Sequence, residues 1–75
     1  MGELHVLNDD VRNMEKTTEA ARVIQRAIKA EDNSCKLYRS LEKIFKGSDV
    51  AELFGKLAEE EEKHKVRLER VLAKI

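Results

Sequence analysis

Three side chains have the types and spacing for metal chemistry: Glu31, Glu61 and His64. Two of them sit inside "AEEEEKHK", Ala58 to Lys65, a charge run of the kind that ordinarily covers the wet face of a helix. Residues three apart on a helix share a face, so Glu61 and His64 can approach one object together. Glu59, Glu60 and Glu62 fall off that face and are expected in water with Lys63 and Lys65, Glu59 being placed to pair with Lys63 one turn on. Carboxylate and imidazole donors together suit a divalent transition metal such as iron, manganese or zinc.

Those residues must be held by helices. The chain has no proline, and 40% of it is charged, with much Ala, Leu, Glu and Lys, which points to an all-α fold. One strong break stands at "KGSD", Lys46 to Asp49. Lys43 and Lys46 suit a last helical turn, and Gly47 suits the left-handed residue after it. Ser48 or Asp49 can cap the next helix, with Glu52 completing a capping box from Asp49. The reading is therefore one domain over residues 1–75: an N-terminal arm at 1–16, helix one at 17–46 and helix two at 49–74. So short a turn makes the helices antiparallel neighbours. Within the arm, Asn8, Asp9, Asp10, Asn13, Thr17 and Thr18 are poor helix formers and good caps. They predict a short helix from about Asp9 and a kink or break near Thr17, with the arm's apolar side packed on a neighbouring subunit.

Each helix carries a heptad stripe. In helix two it reads Val50, Phe54, Leu57, Glu61, His64, Leu68, Val71, Ile75; in helix one, Ala21, Ile24, Ile28, Glu31, Cys35, Tyr38, Leu41, Phe45. Glu31, Glu61 and His64 interrupt otherwise apolar seams. Their heights agree. Glu31 lies 16 residues before Gly47, and Glu61 and His64 lie 14 and 17 after it. At about 1.5 Å per residue, all three stand about 21–26 Å from the turn.

Unpartnered buried carboxylates are costly, and a bound cation removes that cost. Two hairpins meeting face to face would form a four-helix bundle with four glutamates and two histidines at its middle. Two divalent cations would balance the four carboxylates. One Glu from each of two helices and one Glu-x-x-His from each of the others is the ligand set of di-iron and di-manganese carboxylate bundles.

Composition narrows the function classes further. Fifteen Lys and Arg balance fifteen Asp and Glu, which argues against a nucleic-acid binder. The apolar runs are too short to span a membrane. Cys35 is the only cysteine, so no disulfide forms within the chain. A free thiol without a signal-peptide pattern predicts a cytoplasmic setting.

At this point "AIKAEDNSCKLYRSL", Ala27 to Leu41, resembles the first iron-binding helix of rubrerythrins and ferritin-like proteins, with a Glu ligand and an aromatic seven residues on. "LAEEEEKHKVRLERVL", Leu57 to Leu72, resembles the second, Glu61 and His64 matching the Glu-x-x-His pair. The resemblance spans roughly residues 20–75. Because full ferritins and rubrerythrins hold two such hairpins, it is nearest to the half-length, encapsulated-ferritin-type proteins. It implies an antiparallel hairpin that dimerises into a ferritin-like four-helix bundle, with two iron ions per dimer at a shared site and dimers able to join into rings. Glu31 would then be a terminal ligand, Glu61 a bridge and His64 the nitrogen ligand, and Tyr38 would donate a hydrogen bond or an electron near the site. Asp32 and Glu62 would be entry or supporting groups. The implied activity is oxidation of ferrous iron by oxygen. Peroxide reduction with an external electron donor is the second reading, and a metal-free dimerisation module the third. Manganese or zinc could replace iron at these donors. The chain ends at Ile75 without a tail of the kind that directs such proteins into a shell, so a shell is not expected. The lone cysteine excludes a rubredoxin-like module.

Blander roles compete at several positions. Tyr38 reads equally well as a core tyrosine with its hydroxyl at the rim. Cys35 reads as a small buried hydrophobe, and His5 as exposed and idle.

Overall fold

The computed structural model describes the backbone of residues 2–75 and the side chains of residues 17–75. It is an all-α hairpin of two helices, α1 (Gly2–Ile44) and α2 (Asp49–Lys74). The turn at 45–48 forms where the sequence breaks. Gly47 takes φ 91°, a conformation that side chains with a Cβ disfavour. The Ser48 hydroxyl donates to the Phe45 carbonyl at 2.7 Å and accepts from the Ala51 N–H at 3.4 Å. Ser48 is thus the N-cap of α2, while Asp49 and Glu52 place negative charge in its first turn, where the helix dipole favours it.

α1 differs from expectation at both ends. It stops at Ile44 rather than near Lys46, and it runs through Thr17 and Thr18 without a break. Poor helix formers cost at most about 0.7 kcal/mol each, whereas a break discards backbone hydrogen bonds and requires a fresh nucleus. Propagation from the strong helix beyond residue 19 wins. The expectations about the packing of residues 1–16 and about His5 concern side chains outside the described set.

The two helices approach through small residues. Ala51, Gly55 and Ala58 are the buried positions of α2, Ala58 being fully covered. Each lies one residue beyond a seam position (Val50, Phe54, Leu57), about 100° further round the helix. The close contact is therefore beside the apolar stripe, not on it. A Cβ at Gly55 would meet the Glu42 carboxylate of α1, and the Cys35 thiol donates to the Ala58 carbonyl at 3.6 Å.

The middle of each stripe is half-buried between the helices, and the ends of the stripes with flanking apolar residues are left open. Val23, Leu37 and Ile44 on α1, Phe45 in the turn, Val50, Leu53 and Val71 on α2 and its C-cap Ile75 are exposed. By helical angle they lie on the same side of the hairpin. Ile44 is 71% and Leu53 54% accessible, values foreign to a finished core. Near the turn, Tyr38 stacks on Phe54 (centroids 6.3 Å apart) and Phe45 tilts against the same ring at 5.9 Å. No helix of the described residues is long and apolar enough to cross a membrane.

Candidate metal centre

Halfway along the open face, α1 supplies Glu31 and α2 supplies Glu61 and His64. Matching height from the turn brings them together: one donor atom from each lies within 4.8 Å of the others. His64 Nδ1 stands 3.7 Å from Glu31 Oε2, too far for a hydrogen bond. That oxygen is shielded from solvent and accepts no hydrogen bond. Glu31 is held mostly within the hairpin and His64 leans outward, its side chain 45% exposed.

Two carboxylates this close cannot both ionise cheaply. Glu61 is pushed above the ordinary carboxylate range, chiefly by its hydrogen bond with Glu31, then by partial burial and the Glu31 charge; His64 pulls the other way. Bonds of about 2.0–2.2 Å to oxygen and nitrogen let two donors on one ion stand up to about 4.4 Å apart, so a small side-chain rotation suffices. An orphaned carboxylate oxygen, a second carboxylate beside it and an imidazole leave the three residues fit to hold a divalent metal.

Other expected residues fall differently. Tyr38 is two turns from Glu31, its ring stacked on Phe54. Asp32 is not an entry group. Its carboxylate takes Lys36 at 3.0 Å and Lys65 at 3.1 Å, and these hydrogen bonds hold it below its usual range. Lys65, expected in water, is instead half-buried between the helices; Asp32 raises its ammonium pKa, first through their hydrogen bond. Glu59, Glu60 and Glu62 are exposed as expected, although Lys63 pairs with Glu60 at 3.4 Å rather than with Glu59. Glu62 faces the Cys35 thiol at 3.8 Å. The Asp32–Lys65 link joins residues 33 apart in sequence. Only the i,i+4 spacing of Asp32 and Lys36 hinted that Asp32 was engaged.

A family model described as Rubrerythrin matches residues 22–75. The chain belongs to the rubrerythrin family. The matched region takes in α1 from residue 22, the turn and all of α2. Rubrerythrin-family proteins typically bind iron at carboxylate-rich centres, and the cluster of Glu31, Glu61 and His64 is where this member has such donors. Searches of curated proteins and of solved structures found no match for the chain.

Proposed function

We propose that this protein is a ferroxidase whose di-iron centre is completed by two copies of the chain. The observation that carries the reading is the convergence of Glu31, Glu61 and His64, with an orphaned carboxylate oxygen, at the middle of an open apolar face. One hairpin offers three donors on one side only. A second copy laid on the open face would cover Leu37, Ile44, Leu53 and Val71 and bring a second set of donors to the same height. Four carboxylates would then face two ferrous ions, matching their charge.

Ferrous iron is the substrate. Each of two ions gives up one electron, and oxygen takes the pair together with two protons as hydrogen peroxide. Glu31 and Glu61 bind and neutralise the ions, and His64 supplies the nitrogen donor that favours iron over calcium or magnesium. Glu61, whose carboxyl Glu31 holds above its ordinary range, would bind the ion as the carboxylate, so metal binding would be favoured as pH rises. The apolar residues around the centre exclude bulk water from it.

The deciding measurement is iron content after anaerobic loading of the full chain. One ion per chain, with the protein a dimer by sedimentation, is expected; absence of stoichiometric iron would refute the site. Stopped-flow mixing of the loaded protein with oxygen and, separately, with peroxide tests the activity. Much faster oxidation by peroxide would replace the ferroxidase reading with peroxide reduction. Replacing Glu61 and His64 with Leu is expected to abolish iron binding while leaving the helical dimer intact, since apolar replacements of buried charges often stabilise.

A further inference from the structure

Among the described residues, two charge contacts join α1 to α2: Glu31 with His64, and Asp32 with Lys65. The second has the shorter geometry, 3.1 Å, and both its side chains are about a quarter exposed. Asp32 follows Glu31 in sequence and Lys65 follows His64. Each partner therefore sits about 100° round its helix from a metal-centre residue, behind the centre as seen from the open face. A rigid helical backbone links Asp32 to Glu31 on one side and Lys65 to His64 on the other.

Near the turn the register of the two helices is held by the short connection and by Tyr38 packed against Phe54. From there upward the most deeply buried positions of α2 are the small residues Ala51, Gly55 and Ala58. At the height of the centre these give way to polar groups. A slip of one residue would displace Glu31 from His64 by about 1.5 Å. The Asp32–Lys65 bond resists that slip at the height where it matters. It has a second consequence. Asp32 is the nearest additional carboxylate in sequence to Glu31, yet two ammonium groups, Lys36 and Lys65, hold it at 3.0 and 3.1 Å.

We propose that Asp32 and Lys65 are a positioning pair that sets the register of the metal centre and keeps the Asp32 carboxylate out of its ligand set. The inference rests on the metal-centre reading above. It adds to that reading two residues that touch no metal and set where the ligands stand.

The test is a Co2+ titration of the full chain, followed by the ion's visible absorption, beside thermal melts of the metal-free protein. D32N and K65M are each expected to weaken Co2+ binding about tenfold, the low end of what supporting partners of ligands deliver. The double variant should lose no more than either single one, because one interaction is removed in all three. K65R, which keeps the pair, should stay within about threefold of the parent. The reversed set D32K/K36E/K65E should regain affinity to the same margin and restore the parent's absorption spectrum. The melts are expected to shift little, since a partly exposed pair contributes little to stability. Parent-like Co2+ binding in both single variants would overturn the proposal. So would a loss that the reversed set fails to restore, or one that merely tracks a collapse of helicity. A parent chain that takes up no Co2+ would sink the metal-centre reading itself, an outcome distinct from failure of the pair.

Discussion

The close approach of α1 and α2 at Ala58 makes a sharp prediction. Ala58 is fully covered, lies one turn from Glu61 on the turn side, and offers its carbonyl to Cys35. Helix axes packed through small residues stand about 8 Å apart, and larger side chains push them toward about 10 Å. Ala58→Leu should therefore widen the hairpin by up to about 2 Å one turn from the centre. Overpacking of this kind costs about 1–3 kcal/mol, which in a chain of this size lowers the melting temperature by roughly 4–24 °C. The effect on the centre should be larger in proportion. Donors now within 4.8 Å of one another would part well beyond the about 4.4 Å that one ion can span. Iron loading should then fall at least about tenfold while the circular-dichroism spectrum stays helical at low temperature. Ala58→Gly is the control: it keeps the close approach, costs about 1 kcal/mol in helix propensity and should bind iron as the parent does. If Ala58→Leu melts lower yet loads iron like the parent, close approach at this position does not assemble the centre.

Three further outcomes follow from the same coordinates. Gly55→Ala should be neutral or stabilising, by up to about 1 kcal/mol of helix propensity, because its Cβ would meet only the mobile end of Glu42; a melting temperature that drops by several degrees would refute this. Leu37→Lys combined with Leu53→Lys should convert the proposed dimer to monomer by sedimentation, whereas Val66→Lys, on the other side of α2, should not. Metal-free stability should depend on pH through two opposed groups. Glu61, raised above 4.5, stabilises fully below pH 4.5, and its contribution is lost as pH rises through the raised value. Asp32, lowered from 3.8, stabilises fully above pH 3.8, and its contribution is lost as pH falls through the lowered value. From these groups the melting temperature should peak between those values, and Glu61→Gln should flatten the alkaline limb; an unchanged limb in that variant would assign it elsewhere.

The turn and the centre were legible in the sequence because both rest on local or periodic signals. Gly47 and Ser48 are punctuation that needs no tertiary context, and α2 begins at Asp49 as read. Glu31, Glu61 and His64 stood out because heptad stepping made them exceptions, and equal distance from Gly47 placed them at one height. Periodicity gives an angle around a helix, however, and not the distance of closest approach. Heptad spacing marks the stripe richest in large apolar residues, while Ala51, Gly55 and Ala58, weakly hydrophobic and one position round, are the most deeply buried positions of α2. Lys65 was assigned to water for the same reason. Its burial depends on Asp32, 33 residues away, and on a long side chain lying in the groove between helices. The continuity of α1 through Thr17 was hidden because caps in a sequence announce where a helix can stop, and cooperativity decides whether it does.

The offset between the contact stripe and the apolar stripe also explains why the centre lies where it does. Had the large seam residues faced each other within the hairpin, Glu31 and Glu61 would have been sealed between two helices with nothing further to bring. Because the small residues take the closest contact, large apolar side chains beside it stay open, and the donors, set at the edge of one hairpin, would on the proposed pairing lie at the middle of two. Covering them without a cation would bury four carboxylates at a cost of several kcal/mol per charge, which protonation could only partly relieve. The single hairpin already shows the first step of that relief in the raised Glu61, and a second copy would drive it further by removing water. Cations remove the penalty without protonation. On the proposed pairing, iron occupancy and closure of the apolar face should therefore favour each other, and anaerobic iron should tighten the dimer of the parent chain while leaving a dimer of the Glu61→Leu, His64→Leu variant unchanged.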